Sequence, residues 1–217
     1  MRAEGEIMKK IRSALLAALL LLATVFTGVP TAMAAGVSVN ATTVTVYFLN
    51  QEFREKISQP AAYPASFQLK VTGADKAAYR VTAGESATVS STGLVEPLCT
   101  RYYWYGNVGS TAPTPGKTPD RVTESYTAGD STVQVTAGGK TFRVTVHVQS
   151  YAQVYVDSVM QDYIAKNLPA NPTDYNKAET AAKFAAQYEY SANYSSYLSM
   201  VILGGGDCWA STGAVNR

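Results

Sequence analysis

The stretch Gly204-Gly205-Gly206-Asp207-Cys208-Trp209-Ala210-Ser211 holds the residue types best suited to chemistry in this 217-residue sequence. Three glycines permit a tight loop that other segments can approach closely. Asp207 is a good N-cap, which places Cys208 in the first turn of a helix that continues Trp209-Ala210-Ser211. A thiol there faces the positive end of the helix dipole and its unpaired amides, and both favour the nucleophilic thiolate. The same amides would hold the oxyanion formed when the thiolate attacks a carbonyl. Asp207 works against this unless its carboxylate turns into the cap, because a neighbouring negative charge disfavours thiolate. Cys208 is therefore the candidate nucleophile, with Gly206, Asp207 and Trp209 as loop and oxyanion support.

Other chemistry is scarce. The sequence has one histidine, His147, and two cysteines, Cys99 and Cys208, which excludes a zinc cage built from His and Cys. No metal and no organic cofactor is implied. Two thiols also permit a Cys99–Cys208 disulfide or an inert buried Cys208, and spacing alone leaves those alternatives open. The glycine run and the capping aspartate favour the nucleophile, since a bridge needs neither. The run Tyr102-Tyr103-Trp104-Tyr105 offers flat rings for stacking on sugars. Strand alternation reads it instead as two rings inward and two on a sheet surface. His147, with Arg143 and Thr145 on the polar face of a regular strand, reads as an exposed sheet residue.

The elements around these residues fall into two regimes. From Val37 to about Gln149 the apolar period is two, as in Thr43-Val44-Thr45-Val46-Tyr47 and in Phe142, Val144, Val146 and Val148. Gly138-Gly139 has the spacing of a two-residue hairpin. After Tyr151 the period becomes helical. Val156, Val159, Met160, Tyr163 and Ile164 form one stripe, and Leu168-Pro169 ends it. A second helix follows Thr173-Asp174, with Tyr175, Ala178, Ala182, Ala185 and Tyr188 or Glu189 at helical spacing, and Tyr197 to Leu203 makes a third. The fold class is α+β.

The first segment reads as an address. Met8-Lys9-Lys10-Ile11-Arg12 is basic, Ala14 to Ala23 is apolar, and Ala32-Met33-Ala34-Ala35 is a small-residue cleavage site: the layout of a secretory signal peptide over 1–35. The apolar run is too short to span a bilayer. The net charge of +2 lies entirely in this segment, leaving 14 basic and 14 acidic residues downstream. A neutral body excludes nucleic acid and an anionic membrane surface as partners. The mature chain is expected to carry no membrane anchor and to be secreted or held at the cell surface, with a β-sandwich at 36–150 and a helical unit at 151–217.

Two resemblances refine this. Ala87-Thr88-Val89-Ser90-Ser91-Thr92-Gly93-Leu94-Val95 and the hairpin Gly129–Val148 resemble bacterial Ig-like domains, with Cys99 to Ser125 departing from that pattern as an insertion. Thr173-Asp174-Tyr175-Asn176-Lys177-Ala178, the aromatics Tyr188 to Tyr190 and Gly206-Asp207-Cys208-Trp209-Ala210 resemble the N-terminal half of the transglutaminase-like, papain-like thiol core. That resemblance implies acyl transfer or hydrolysis through Cys208 on protein or peptidoglycan-type amides, either cross-linking or peptidase action. The family's catalytic histidine and aspartate lie downstream of its cysteine, and this sequence stops nine residues after Cys208. The expectation is a partial core, a fragment or truncated product. The alternative is a non-catalytic surface protein that binds cell wall or carbohydrate through its Ig-like module.

Overall fold

Alternating valines fix the main sheet. The structure, a computed structural model, describes residues 36–216. The expected leader at 1–35 and its cleavage site lie outside the described residues. In chain order the strands are β1 (Ser38–Val39), β2 (Thr43–Phe48), β3 (Phe67–Gln68), β4 (Val71–Thr72), β5 (Ala77–Ala83), β6 (Ala87–Val89) and β7 (Leu94–Pro97). They continue as β8 (Cys99–Tyr105), β9 (Val108–Ser110), β10 (Arg121–Tyr126), β11 (Gly129–Ala137) and β12 (Lys140–Ser150). Helices α1 (Tyr151–Asn167), α2 (Asp174–Ala185), α3 (Tyr197–Leu203) and α4 (Cys208–Val215) follow, with short strands β13 (Glu189–Tyr190) and β14 (Gly205–Gly206) between them. The described chain is α+β.

A four-stranded sheet runs β2-β12-β11-β5, and a three-stranded sheet runs β3-β7-β6. Val44 and Val46 of β2, Val133 and Val135 of β11, and Val144, Val146 and Val148 of β12 meet Leu69, Ala87 and Val95 in one buried cluster. The β11–β12 hairpin closes through Gly138 and Gly139, both at positive φ, as a two-residue turn of this hand requires. β2 pairs with β12 in parallel, which no local pattern announces. The buried hydroxyls of Ser86 and Ser131 lie 2.9 Å apart, and Ser131 Oγ also accepts the Ser86 and Ala87 amides. This pins the start of β6 to β11 and leaves neither hydroxyl unsatisfied.

The stretch read as an insertion forms its own sheet, β10-β8-β9. Trp104 lies beside Gly109 and Arg121, its neighbours across the two strand pairs. A Cβ at Gly109 would stand 3.1 Å from the indole, and the Arg121 guanidinium sits 4.6 Å from the ring centroid. Its Nε1–H donates to Thr123 Oγ1 at 2.9 Å, and the Tyr105 hydroxyl accepts the Thr114 amide at 2.8 Å. Trp104 and Tyr105 thus serve the sheet itself.

α1 follows β12 without a loop: Ser150 ends the strand and caps the helix, its hydroxyl accepting the Gln153 amide. The helix ends at Asn167 with Leu168 extended before Pro169. Val156 and Met160 are buried with Phe184, Met200, Ala210 and Ala214 in the helical core. Two expected faces need correction. Ile164, assigned to the α1 stripe, is 44% exposed. In α2 the face Tyr175, Ala178, Ala182, Ala185 does not form the core contact, since Tyr175 is 72% exposed and Ala178 and Ala182 are also exposed. Thr180 and Phe184 turn inward instead. Phe184 carries the largest apolar area of that helix, and it packs edge-on against Tyr163 and Tyr188 at 5.1 and 5.5 Å between centroids. Small alanines cannot outweigh it.

A third buried cluster joins the two regimes. Leu49, Phe53 and Ile57, which follow β2, pack on Tyr151 and Ala152, with Leu198, Ile202 and Leu203 of α3 against them. Tyr63 stands between Tyr47 and Tyr151, 5.1 Å from each ring. Arg54, one residue beyond Phe53, reaches the other way and donates to Glu124 Oε2 at 2.6 Å. Burial alone would raise the Glu124 carboxyl, but hydrogen bonds from Arg54 and Tyr126 and the charges of Arg54 and Arg101 hold it below its usual 4.5. A depressed carboxylate contributes stability above its unfolded value and loses it as pH falls through the folded one. Thermal melts from about pH 6 down to about pH 3 should therefore show an acid-induced loss that Arg54→Gln reduces. Equal acid sensitivity in both proteins would contradict the assignment.

Among the described residues no helix is long and apolar enough to cross a membrane.

Candidate functional site

α3 stops at Leu203 because Gly204 adopts the left-handed conformation, φ 87°, that closes a helix C-terminus at low cost for glycine. The chain then runs as β14, paired in parallel with β13: Glu189 opposite Gly205, Tyr190 opposite Gly206. Gly206 is hemmed in. A Cβ there would come within 2.6 Å of Ala210 Cβ and 2.9 Å of Met200 Cβ, so the absence of a side chain lets α4 fold back onto α3.

Asp207 caps α4. Its Oδ1 accepts the Ala210 amide at 2.9 Å, and its Oδ2 accepts the Ser195 hydroxyl at 2.7 Å. These bonds, the Ala210 amide first, hold the carboxyl below its usual 3.8. The Asp207 amide donates to the Tyr194 carbonyl at 2.9 Å, and the Ser191 amide donates to the Gly206 carbonyl at 3.0 Å. The 191–195 segment thus clasps 206–207 from outside.

Cys208 is the first residue of α4 and is an exposed, free thiol. Trp209 beside it is 74% exposed. The four residues singled out in the sequence, Gly206, Asp207, Cys208 and Trp209, form one continuous corner: the first packed, the second engaged in the cap, the last two facing solvent. One expectation changes. The first-turn amides expected to receive an oxyanion are partly taken by the cap, the Ala210 N–H by the Asp207 carboxylate and the Ser211 N–H by the Asp207 carbonyl.

Cys99 is a free, half-buried thiol on β8, so no disulfide joins it to Cys208. His147 lies on β12, its Nδ1 2.6 Å from Asp130 Oδ1 on the paired strand. Its side chain is 37% exposed on the face of the sheet. α4 contacts α2, α3 and β14, so His147 and Cys208 belong to different layers. Among the described residues no three His, Cys, Asp or Glu side chains gather as metal ligands would.

Sequence reasoning missed Ser195, Tyr194 and Ser191. The run Ser191-Ala192-Asn193-Tyr194-Ser195-Ser196 reads as a polar loop, and nothing in its composition pairs Ser195 with a carboxylate twelve residues on. No protein-family model matches the chain, and no curated protein matches it.

Proposed function

We propose that Cys208 is the nucleophile of an acyl-transfer reaction, attacking an amide or ester carbonyl to form a thioester on α4. On this reading the chain is an exported protein in which a bacterial Ig-like sandwich precedes a transglutaminase-like thiol core. The observation that carries the reading is the Gly206–Cys208 corner. A solvent-facing thiol opens a helix whose cap, Asp207, is locked by Ser195 and Ala210. With the cap's charge drawn into two hydrogen bonds, Asp207 fixes the turn and leaves the thiol to the helix N-terminus.

The chemistry divides into two steps. Attack by the Cys208 sulfur forms the C–S bond and breaks the carbonyl's bond to the amine or alcohol, which leaves with a proton taken from water as the thiol gives its own proton to water. Transfer of the acyl group to water or to an amine then breaks that bond. The second step needs a base to take a proton from the acceptor, and His147, paired with Asp130 in the four-stranded sheet, is not placed to serve. Acylation is therefore the step expected of the residues around Cys208.

The test is acylation by p-nitrophenyl acetate. The folded chain should acylate at Cys208 about tenfold faster than the same chain in urea, with one equivalent of nitrophenol released and the acetyl group mapped to Cys208 by mass spectrometry. Cys208→Ala should abolish the burst, and Cys99→Ala should leave it intact. Equal rates in the folded and unfolded chain would overturn the reading. The second reading is a surface-binding protein working through its β-sheets, and it is favoured by the cleft beside β2, for which Cys208→Ala should change nothing.

A further inference from the structure

A cleft of about 510 Å³ opens between the end of β2, the segment after it, the β7–β8 junction and β10. Its size lies within the roughly 300–1,000 Å³ of small-molecule sites. Its apolar part is the parallel stack of Phe48 on Tyr126, 4.9 Å between centroids and 7° between planes, with Leu98 exposed beside it. Its polar part is unevenly satisfied. Arg54 donates from Nε to the Leu49 carbonyl at 3.1 Å and from Nη2 to Glu124 and Tyr126, while its Nη1 has no partner among the described residues. The Arg101 guanidinium makes no hydrogen bond among the described residues; Glu124 Oε1 lies 3.6 Å from it.

Two guanidiniums therefore share one carboxylate, both residues line the cleft, and both keep unused donors. Glu124 is already served by Arg54, Arg101 and the Tyr126 hydroxyl, which donates to it at 3.1 Å. Arg54 and Arg101 are balanced by Glu124 and by Glu96 on the exposed rim, so the cleft carries no net charge and holds an anion through hydrogen-bond geometry. Each further negative charge on a ligand adds repulsion from Glu124 and Glu96, which disfavours a dianion more than a monoanion. Guanidinium forks match the geometry of a carboxylate.

We propose that this cleft binds a small organic monocarboxylate, its carboxylate on the free donors of Arg54 and Arg101 and its apolar body against Tyr126 and Leu98. This site is separate from Cys208 and does not depend on acyl chemistry there. A peptide C-terminus and an acidic sugar both present that chemistry.

Cys99 lines the cleft and Cys208 does not, so the two thiols report on occupancy with an internal reference. The full chain is alkylated with iodoacetamide in the presence of N-acetyl-leucyl-alanine, its C-terminal amide, glucuronate or inorganic phosphate, and each cysteine is followed by mass spectrometry. Saturable protection of Cys99 by the dipeptide acid or by glucuronate, with Cys208 unaffected, is the expected result, and the protecting compound identifies the source. Arg101→Gln, at a largely exposed side chain, should weaken that protection about tenfold. A calorimetric titration gives the same readout if Cys99 alkylates too slowly to follow. Equal protection by the amide, stronger protection by phosphate, or no binding of either acid would overturn the proposal.

Discussion

Phe53→Ala should lower the stability of the protein by about 3–5 kcal/mol, the usual range for emptying a phenylalanine site in a closed core. Phe53 is 2% exposed and sits where the segment after β2 meets the start of α1 and the face of α3. Removing its ring withdraws support from Leu49 and Ile57 on one side and from Tyr151 and Ala152 on the other. Few surrounding atoms can collapse into the gap, because the neighbours are held by β12 entering α1 without a loop. Calorimetry should show one cooperative transition in the parent chain and two separate ones in the variant, the lower belonging to the helices. A loss below about 1 kcal/mol would mean that the two regimes are stable independently. The same cluster implies that residues 36–150 made alone would expose Leu49, Phe53 and Ile57 to water.

The second large effect is expected at Gly206. Its φ is not in the left-handed region, so Gly206→Ala carries no backbone penalty of that kind, but the new methyl would meet Ala210 Cβ and Met200 Cβ at 2.6 and 2.9 Å. Both are the inner ends of short or buried side chains, and neither can swing away. α4 must move off α3, at a cost of about 1–3 kcal/mol for such overpacking. Since Cys208 lies two residues on, the burst with p-nitrophenyl acetate should fall toward the rate of the unfolded chain. Gly204→Ala is the informative contrast. Space is open around its Cβ and the strain is confined to φ 87°, so it should cost about 1–2 kcal/mol while leaving α4 in place. Equal loss of the burst in both variants would show that the loop, rather than the α3–α4 contact, positions the thiol.

Local patterns carried part of this structure. The valine alternation of β12, the Gly138-Gly139 turn, the stop at Pro169 and the Asp207 cap are each set by neighbours within a few residues, and the sequence displays them directly. What it hid depends on partners far along the chain. Period 3.6 finds a helix but does not choose its buried face: in α2 two registers compete, and Phe184 decides only because Tyr163 and Tyr188 await it. Residues 49–57 have no strand or helix period, yet they supply half of the junction core. At the site, the order Gly-Asp-Cys made the capped thiol legible. The hold of Ser195 on Asp207 and the loss of the Ala210 amide to the cap arise from a loop closing over the corner.

The parallel pairing of β2 with β12 has a mechanical consequence. Six residue pairs, from Thr43–Thr145 to Phe48–Ser150, lie side by side along these strands. Tension applied between the segment ahead of β2 and the helices beyond β12 draws the two strands along each other in opposite directions. Every hydrogen bond of the ladder then bears load together, in shear, instead of opening singly as when a hairpin is peeled from its end. Stretched between two anchorages, the protein would hold at the β2–β12 seam while the two-residue β13–β14 pairing gave way first.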